Sequence, residues 1–160
     1  MNSKVTNVVV AGLGGQGVLK ASDIIADVAF GAGLDVKKSE IHGMSQRGGS
    51  VSSDVRFGNL VFSPMVPEGE ADYLLVLEET QVDVNRAMLK SGGVLIDPST
   101  LHGRKLRSEK SINVALLGVL SRCLEFPEAA WIEAVLAHLA PKLHAVNRES
   151  FQIGRDEWSQ

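Results

Sequence analysis

Apolar runs of strand length alternate along this chain with stretches whose apolar positions recur at helical spacing. The run Asn7–Ala11 predicts a first strand, and Val18, Ala21, Ile25 and Val28 then place one apolar face on a helix over 16–30 that Gly31 and Gly33 end. Strands are predicted at 34–39, 50–57 and 60–63. In the second of these, Val51, Ser53, Val55 and Phe57 alternate with Ser52, Asp54 and Arg56, and the Gly58-Asn59 turn predicts a hairpin between the last two. The apolar runs 71–77 and 94–97 read as central strands covered on both faces, joined by a helix over 80–90. The last third is helical, with helices predicted at 113–124 and 127–144, Pro127 in the first turn of the latter. Ile132, Val135, Leu136, Leu139 and Leu143 would face its core side, and Asn147 and Ser150 would cap a short final helix around Phe151. This order predicts one α/β domain over 1–160, Rossmann-like and three-layered. Its open, mostly parallel sheet is made mixed by the hairpin.

Composition narrows the function classes. With 160 residues, 44% hydrophobic, 22% charged and a net charge of -3, the chain can bury a sizeable core and has no basic field for nucleic acid or an anionic membrane. The apolar run Val8–Ala11 is far too short for a signal core or a membrane helix, so a cytoplasmic protein with no membrane partner is expected. The single cysteine, Cys123, excludes an intrachain disulfide and an all-cysteine cluster, and its apolar setting reads as structural. Any cluster needed for electron transfer would belong to another chain.

Two polar clusters carry the candidate chemistry. Gly12, Gly14, Gly15, Gln16 and Gly17 break the first strand just before the helix, and such a turn lets an anion approach the amides at a helix N-terminus. The spacing also fits the G-x-G-x-x-G dinucleotide pattern, for which a ribose-binding acid should follow at the end of the second strand. Asp35 and Glu40 lie 18 and 23 positions beyond Gly17, and both fit imperfectly. The second cluster, SEIHGMSQRGGS at 39–50, sets Glu40, His42, Gln46 and Arg47 beside Gly48 and Gly49 in a loop suited to a partner or substrate. Following the first and second strands, the two loops should be neighbours at the carboxyl edge of the sheet. Arg47 suits a phosphate or carboxylate, or else an ion pair with Glu40, Asp54 or a partner's acid. His42 is a hydrogen-bonded structural group or a base. His102, His138 and His144 are scattered, so no metal site is expected, and no catalytic triad or carboxylate pair stands out.

Taken jointly, GLGGQGV at 12–18, SEIHGMSQRGGSV at 39–51, VRFG at 55–58, SP at 63–64 and GEADYLLVLE at 69–78 resemble the gamma component of thiamine-diphosphate-dependent 2-oxoacid:ferredoxin oxidoreductases, and within it the small subunit of the indolepyruvate enzymes. NVALLG at 113–118 and VNRESFQIG at 146–154 extend the resemblance over nearly the whole chain, while the segment between Pro98 and Ser111 is short for the family. The resemblance implies a complex that decarboxylates an aryl pyruvate oxidatively with coenzyme A, giving acyl-CoA, carbon dioxide and reduced ferredoxin. Thiamine diphosphate, magnesium and iron-sulfur clusters would sit on a large partner subunit, since no Gly-Asp-Gly tripeptide occurs here. Alone, this non-redox chain would be inactive.

Overall fold

The computed structural model describes residues 4–42 and 49–159. Five strands, β1 (Val5–Leu13), β2 (Asp35–His42), β3 (Ser50–Gly58), β4 (Ala71–Val76) and β5 (Leu89–Ile96), form one sheet in the order β2-β3-β1-β4-β5. Only β3 runs against the rest. It pairs with β1 from Val5↔Gly58 to Leu13↔Ser50 and with β2 from Asp35↔Gly58 to His42↔Val51, while β1, β4 and β5 are mutually parallel. The exits of β1 and β2 therefore lie at one edge, with the entrance of β3.

Four helices cover one face of the sheet: α1 (Val18–Gly31), α3 (Ile112–Ser121), α4 (Glu128–Ala137) and α5 (His144–Glu157). Val8, Val10, Val55 and Leu75 of the sheet meet Ile24, Ile25, Leu116, Leu117, Trp131 and Phe151 there, all fully buried or nearly so. Each such aliphatic side chain contributes about 1.5–3 kcal/mol by leaving water. The run VALLGVL of α3 is apolar all round because the whole helix is buried. Gly118 and Gly154 let α3 and α5 touch backbone to backbone: a Cβ on Gly154 would lie 1.8 Å from the Ala115 carbonyl oxygen. The opposite face is covered more thinly. Val9, Ala11, Leu74 and Val76 are capped by Val66 and by the single turn α2 (Val82–Asn85), flanked by 3-10 turns at Glu79–Gln81 and Arg86–Met88.

Several expected elements differ. Residues 60–63 are not a strand, because β1 and β2 already occupy both edges of β3, and so the expected hairpin is instead the β2-β3 pair. The segment after β3 is tied down by side chains: Val61 N–H donates to Asp35 (2.8 Å), Arg56 donates to the Ser63 carbonyl (2.8 Å), Val66 N–H donates to Asp54 (2.9 Å), and Asn7 donates to the Glu70 carbonyl (3.0 Å). The helix expected over 80–90 is broken into those three short turns, since Gln81 and Val82 alone are buried within them and β5 already begins at Leu89.

The helix expected over 127–144 ends at Ala137. Pro141 lacks the N–H a continuing helix needs and holds Ala140 extended (φ -60, ψ 145), so a new helix starts at His144. Of the expected stripe only Val135 is fully buried; Trp131 and Ala134 share its face. Asn147 and Ser150 lie inside α5, donating to the carbonyls of Leu143 and Val146 one turn back, rather than capping it. Pro127 precedes α4 as its cap residue.

Candidate functional site

The connection from β1 to α1 is a turn that only glycine can make at two positions. Gly15 (φ +87) and Gly17 (φ +86) are left-handed, and Gly17 caps α1. Gly12 is required for a different reason, since a Cβ there would meet Gln16 Oε1 at 2.9 Å and Val18 at 3.0 Å. Gln16 then locks the turn from within: its Oε1 accepts from Leu13 N–H (2.7 Å), while its Nε2 donates to Glu78 (2.9 Å) just past β4. Asn113, at the start of α3, donates to the Gly17 carbonyl at 3.4 Å. Three elements thus converge on one turn.

The end of the second loop meets the first at Gly49. Gly14 N–H donates to the Gly49 carbonyl at 2.9 Å, and Gln16 N–H closes on the Leu13 carbonyl at 3.2 Å, so two amides of residues 14–17 are already committed. Glu40 is exposed on β2 and pairs with Lys38 at 3.4 Å; Lys38 also pairs with Asp23 on α1. His42 is the last residue of β2, in register with Val51. Gln46, Arg47 and Gly48 lie outside the described residues. Of the acids considered for Arg47, Asp54 is buried and accepts from Val66 N–H; burial raises its carboxyl above the ordinary range.

The chain leaves β1 toward β2 and β3 on one side, whereas β4 and β5 lie on the other. The crevice between the exits of β1 and β4 is therefore the switch point at which open α/β sheets receive ligands. Gln16 and Glu78 bridge it. On the β4 side opens a cleft of about 700 Å³, floored by Leu77, Leu101 and Ile112 and rimmed by Arg104 and Lys105. Arg104 is oriented by Glu157 (2.6 Å), whose other oxygen lies 3.1 Å from His102; these two partners hold the Glu157 carboxyl below its usual range. A smaller pocket of about 260 Å³ brings Lys20 and Lys110 to Gly15 and Gly17.

Glu78, Asn113, Lys20, Lys110 and Arg104 were not among the sequence candidates. Glu78 carries a readable signal, as the first charged residue after a buried strand. Asn113 does too, as the polar head of an apolar helix. Lys20 does as well, three positions past Gly17 on α1, whereas Lys110 and Arg104 come to the pocket and the cleft only through the packing of the 98–112 segment.

Cys123 is half-buried, and burial pushes its thiol up to about 11, so it stays a neutral thiol near pH 7. Among the described residues no three His, Cys, Asp or Glu side chains are grouped to hold a metal ion, and no helix is long and apolar enough to cross a membrane.

Fold and turn together define an open α/β domain with a glycine turn at the carboxyl edge of its sheet. The crystal structure of the keto/oxoacid ferredoxin oxidoreductase gamma subunit from Geobacter sulfurreducens superposes with a TM-score of 0.79 at 26% identity, over 95% of this chain and 97% of that one. The same fold makes up part of the 2-oxoglutarate:ferredoxin oxidoreductase from Magnetococcus marinus, solved with 2-oxoglutarate, coenzyme A and succinyl-CoA bound (TM-score 0.82, 20% identity, 98% of this chain and 31% of that one). Residues 7–101 match the family model of the pyruvate ferredoxin/flavodoxin oxidoreductases, and the chain belongs to that family. Its sequence is 32% identical to indolepyruvate oxidoreductase subunit IorB of Thermococcus kodakarensis, over 92% of this chain and 93% of the relative. That alignment spans 188 positions against 160 residues here, so the relative carries segments this chain lacks. The IorB subunit of Archaeoglobus fulgidus is 43% identical over 61% of this chain and 51% of the relative. The chain is thus a subunit of a 2-oxoacid:ferredoxin oxidoreductase and contributes to an enzyme as part of an assembly.

Proposed function

We propose that this chain is the small, non-redox subunit of an indolepyruvate or related aryl-pyruvate ferredoxin oxidoreductase in the cytoplasm. The assembly would convert the 2-oxo acid and coenzyme A to acyl-CoA and carbon dioxide, passing the electrons to ferredoxin. Thiamine diphosphate, magnesium and the iron-sulfur clusters belong to a large partner subunit, consistent with the single, neutral Cys123 here. The observation that carries the reading is the joining of the glycine turn to the second loop through Gly14 and Gly49 at the carboxyl edge of the sheet. On that reading, the turn at 14–17 and Arg47 receive the anionic part of coenzyme A or an acidic surface of the partner. On the same reading, Glu40, His42, Gln46, Gly48 and Gly49 belong to the loop that serves the partner or substrate. Arg47→Ala in the reconstituted complex should raise the KM for coenzyme A or weaken assembly. Unchanged assembly, KM and turnover would remove Arg47 from the account.

A stand-alone nicotinamide or flavin enzyme is the competing reading, and the topology weighs against it. In the dinucleotide fold the ribose-binding acid ends a strand adjacent to β1, but here antiparallel β3 separates β1 from β2. Asp35 also stands at the wrong end of β2, held by Lys37 and by Val61 N–H, which keep its carboxyl below the usual range. Thermal shift with NAD, NADP, FAD and coenzyme A separates the two readings. A ligand at 100 times its Kd stabilises the fold by about 2.7 kcal/mol.

A further inference from the structure

We propose that the thinly covered face of the sheet docks on the large subunit, with the strap over 60–66 as its apolar centre; this rests on the reading that such a subunit exists. A doubly wound sheet buries both faces under helices, yet here only one face has a full helical layer. The other carries α2 and the strap. Large apolar side chains stand outward on that thin layer: Phe62 is 88% exposed, Val84 65% and Met65 54%.

The strap is not a loose loop that happens to expose them. Val61 and Val66 are buried at its two ends, and the side chains of Asp35, Arg56 and Asp54 hold its backbone at Val61, Ser63 and Val66. Burying the Asp54 carboxylate costs stability, and the return is a fixed backbone that keeps Phe62 and Met65 in water. Pro64 and Pro67 stiffen the same stretch. A rigid apolar ridge is the form an interface centre takes, because docking then orders few side chains.

Charge selects the occupant. Glu68, Glu70, Glu79 and Asp83 are exposed on the strap and the turns beside it, while the cations of this face are already engaged, Arg86 with Asp83, Lys90 with Asp72 and Arg56 with Asn7 and the Ser63 carbonyl. A second copy of this face would bring acid against acid. The fitting partner is an apolar pocket rimmed by lysine or arginine on the large subunit.

The test uses the full chain and the purified large subunit from the same organism, with affinity measured by titration at low and high salt. Phe62→Ser combined with Met65→Ser, both exposed, should leave the unfolding temperature nearly unchanged and weaken binding by about tenfold or more. Phe30→Ser, the matching change at a 73%-exposed aromatic on the helical side, should stay within about twofold. Added salt should weaken wild-type binding. A double variant that binds as tightly as wild type overturns the surface while leaving the subunit reading intact. A wild-type dimer in sedimentation that the double variant abolishes also overturns it, in favour of a second copy. Failure of the wild-type chain itself to bind would overturn the subunit reading first, and the surface with it.

Discussion

Replacing Gly17 by alanine tests how the glycine turn is built. Two costs are separable. The first is conformational: at φ +86 an L-residue loses roughly 1–2 kcal/mol relative to glycine. The second is steric. The new Cβ would lie 2.4 Å from Asn113 Nδ2, and Asn113 cannot swing away freely because it is 5% exposed and its Oδ1 accepts from Val114 N–H. Displacing it forfeits a hydrogen bond and overpacks the contact, worth about 1–2 kcal/mol more. Gly17→Ala should therefore destabilise by about 2–4 kcal/mol, lowering Tm by roughly 2–4 °C for each kcal/mol. Gly15→Ala is the internal control: the same left-handed φ, +87, but nothing within 4 Å of the Cβ, so only the conformational cost of roughly 1–2 kcal/mol remains. Urea unfolding of the two variants, and of Gly17→Ala in an Asn113→Ala background, reads the difference. Equal costs for the two glycines, or no rescue by Asn113→Ala, would refute the packing of α3 against the turn.

Gly154→Ala should cost about 3 kcal/mol or more, because its Cβ would sit 1.8 Å from the Ala115 carbonyl oxygen and the helices must part; chemical denaturation at neutral pH reads the loss. Gln16→Glu keeps the acceptor for Leu13 N–H but sets a carboxylate against Glu78, costing about 1–3 kcal/mol near neutrality and regaining most of it in acid, as unfolding at two pH values would show. Asp54 has its folded pKa raised by burial, so just above 3.8 the folded chain holds a proton that the unfolded chain has lost, and stability falls as pH rises through that window. Asp54→Asn retains an acceptor for Val66 N–H without a charge. Its stability relative to wild type should rise between about pH 4 and pH 7, in urea titrations at each pH.

The core of the fold was legible wherever periodicity met burial. Val8–Ala11, the Val18–Val28 face and the apolar run of α3 each announced their element, and the glycines at 31 and 33 its end. The pairing partner of β3 was not legible, because alternation over 50–57 states only that a strand has two unlike faces. The nearby 60–63 run matched as well as the distant β2, and what decided against it was the capture of its backbone by Asp35, Arg56 and Asp54. Pro141 was visible as a helix stop, yet the apolar spacing across it masked the break. In the site, the glycines and Gln16 were readable from spacing. Glu78 and Asn113 required the sheet order, which brings β4 and α3 to the turn.

The central claim, that this chain is an obligatory non-redox subunit of a ferredoxin-linked 2-oxoacid oxidoreductase, is tested most directly by reconstitution. Ferredoxin reduction with indolepyruvate and coenzyme A would be followed for this chain, for the large subunit and for the two mixed. The account predicts coenzyme-A-dependent reduction only in the mixture, rising to saturation as this chain is added. Full activity from the large subunit without this chain would contradict it.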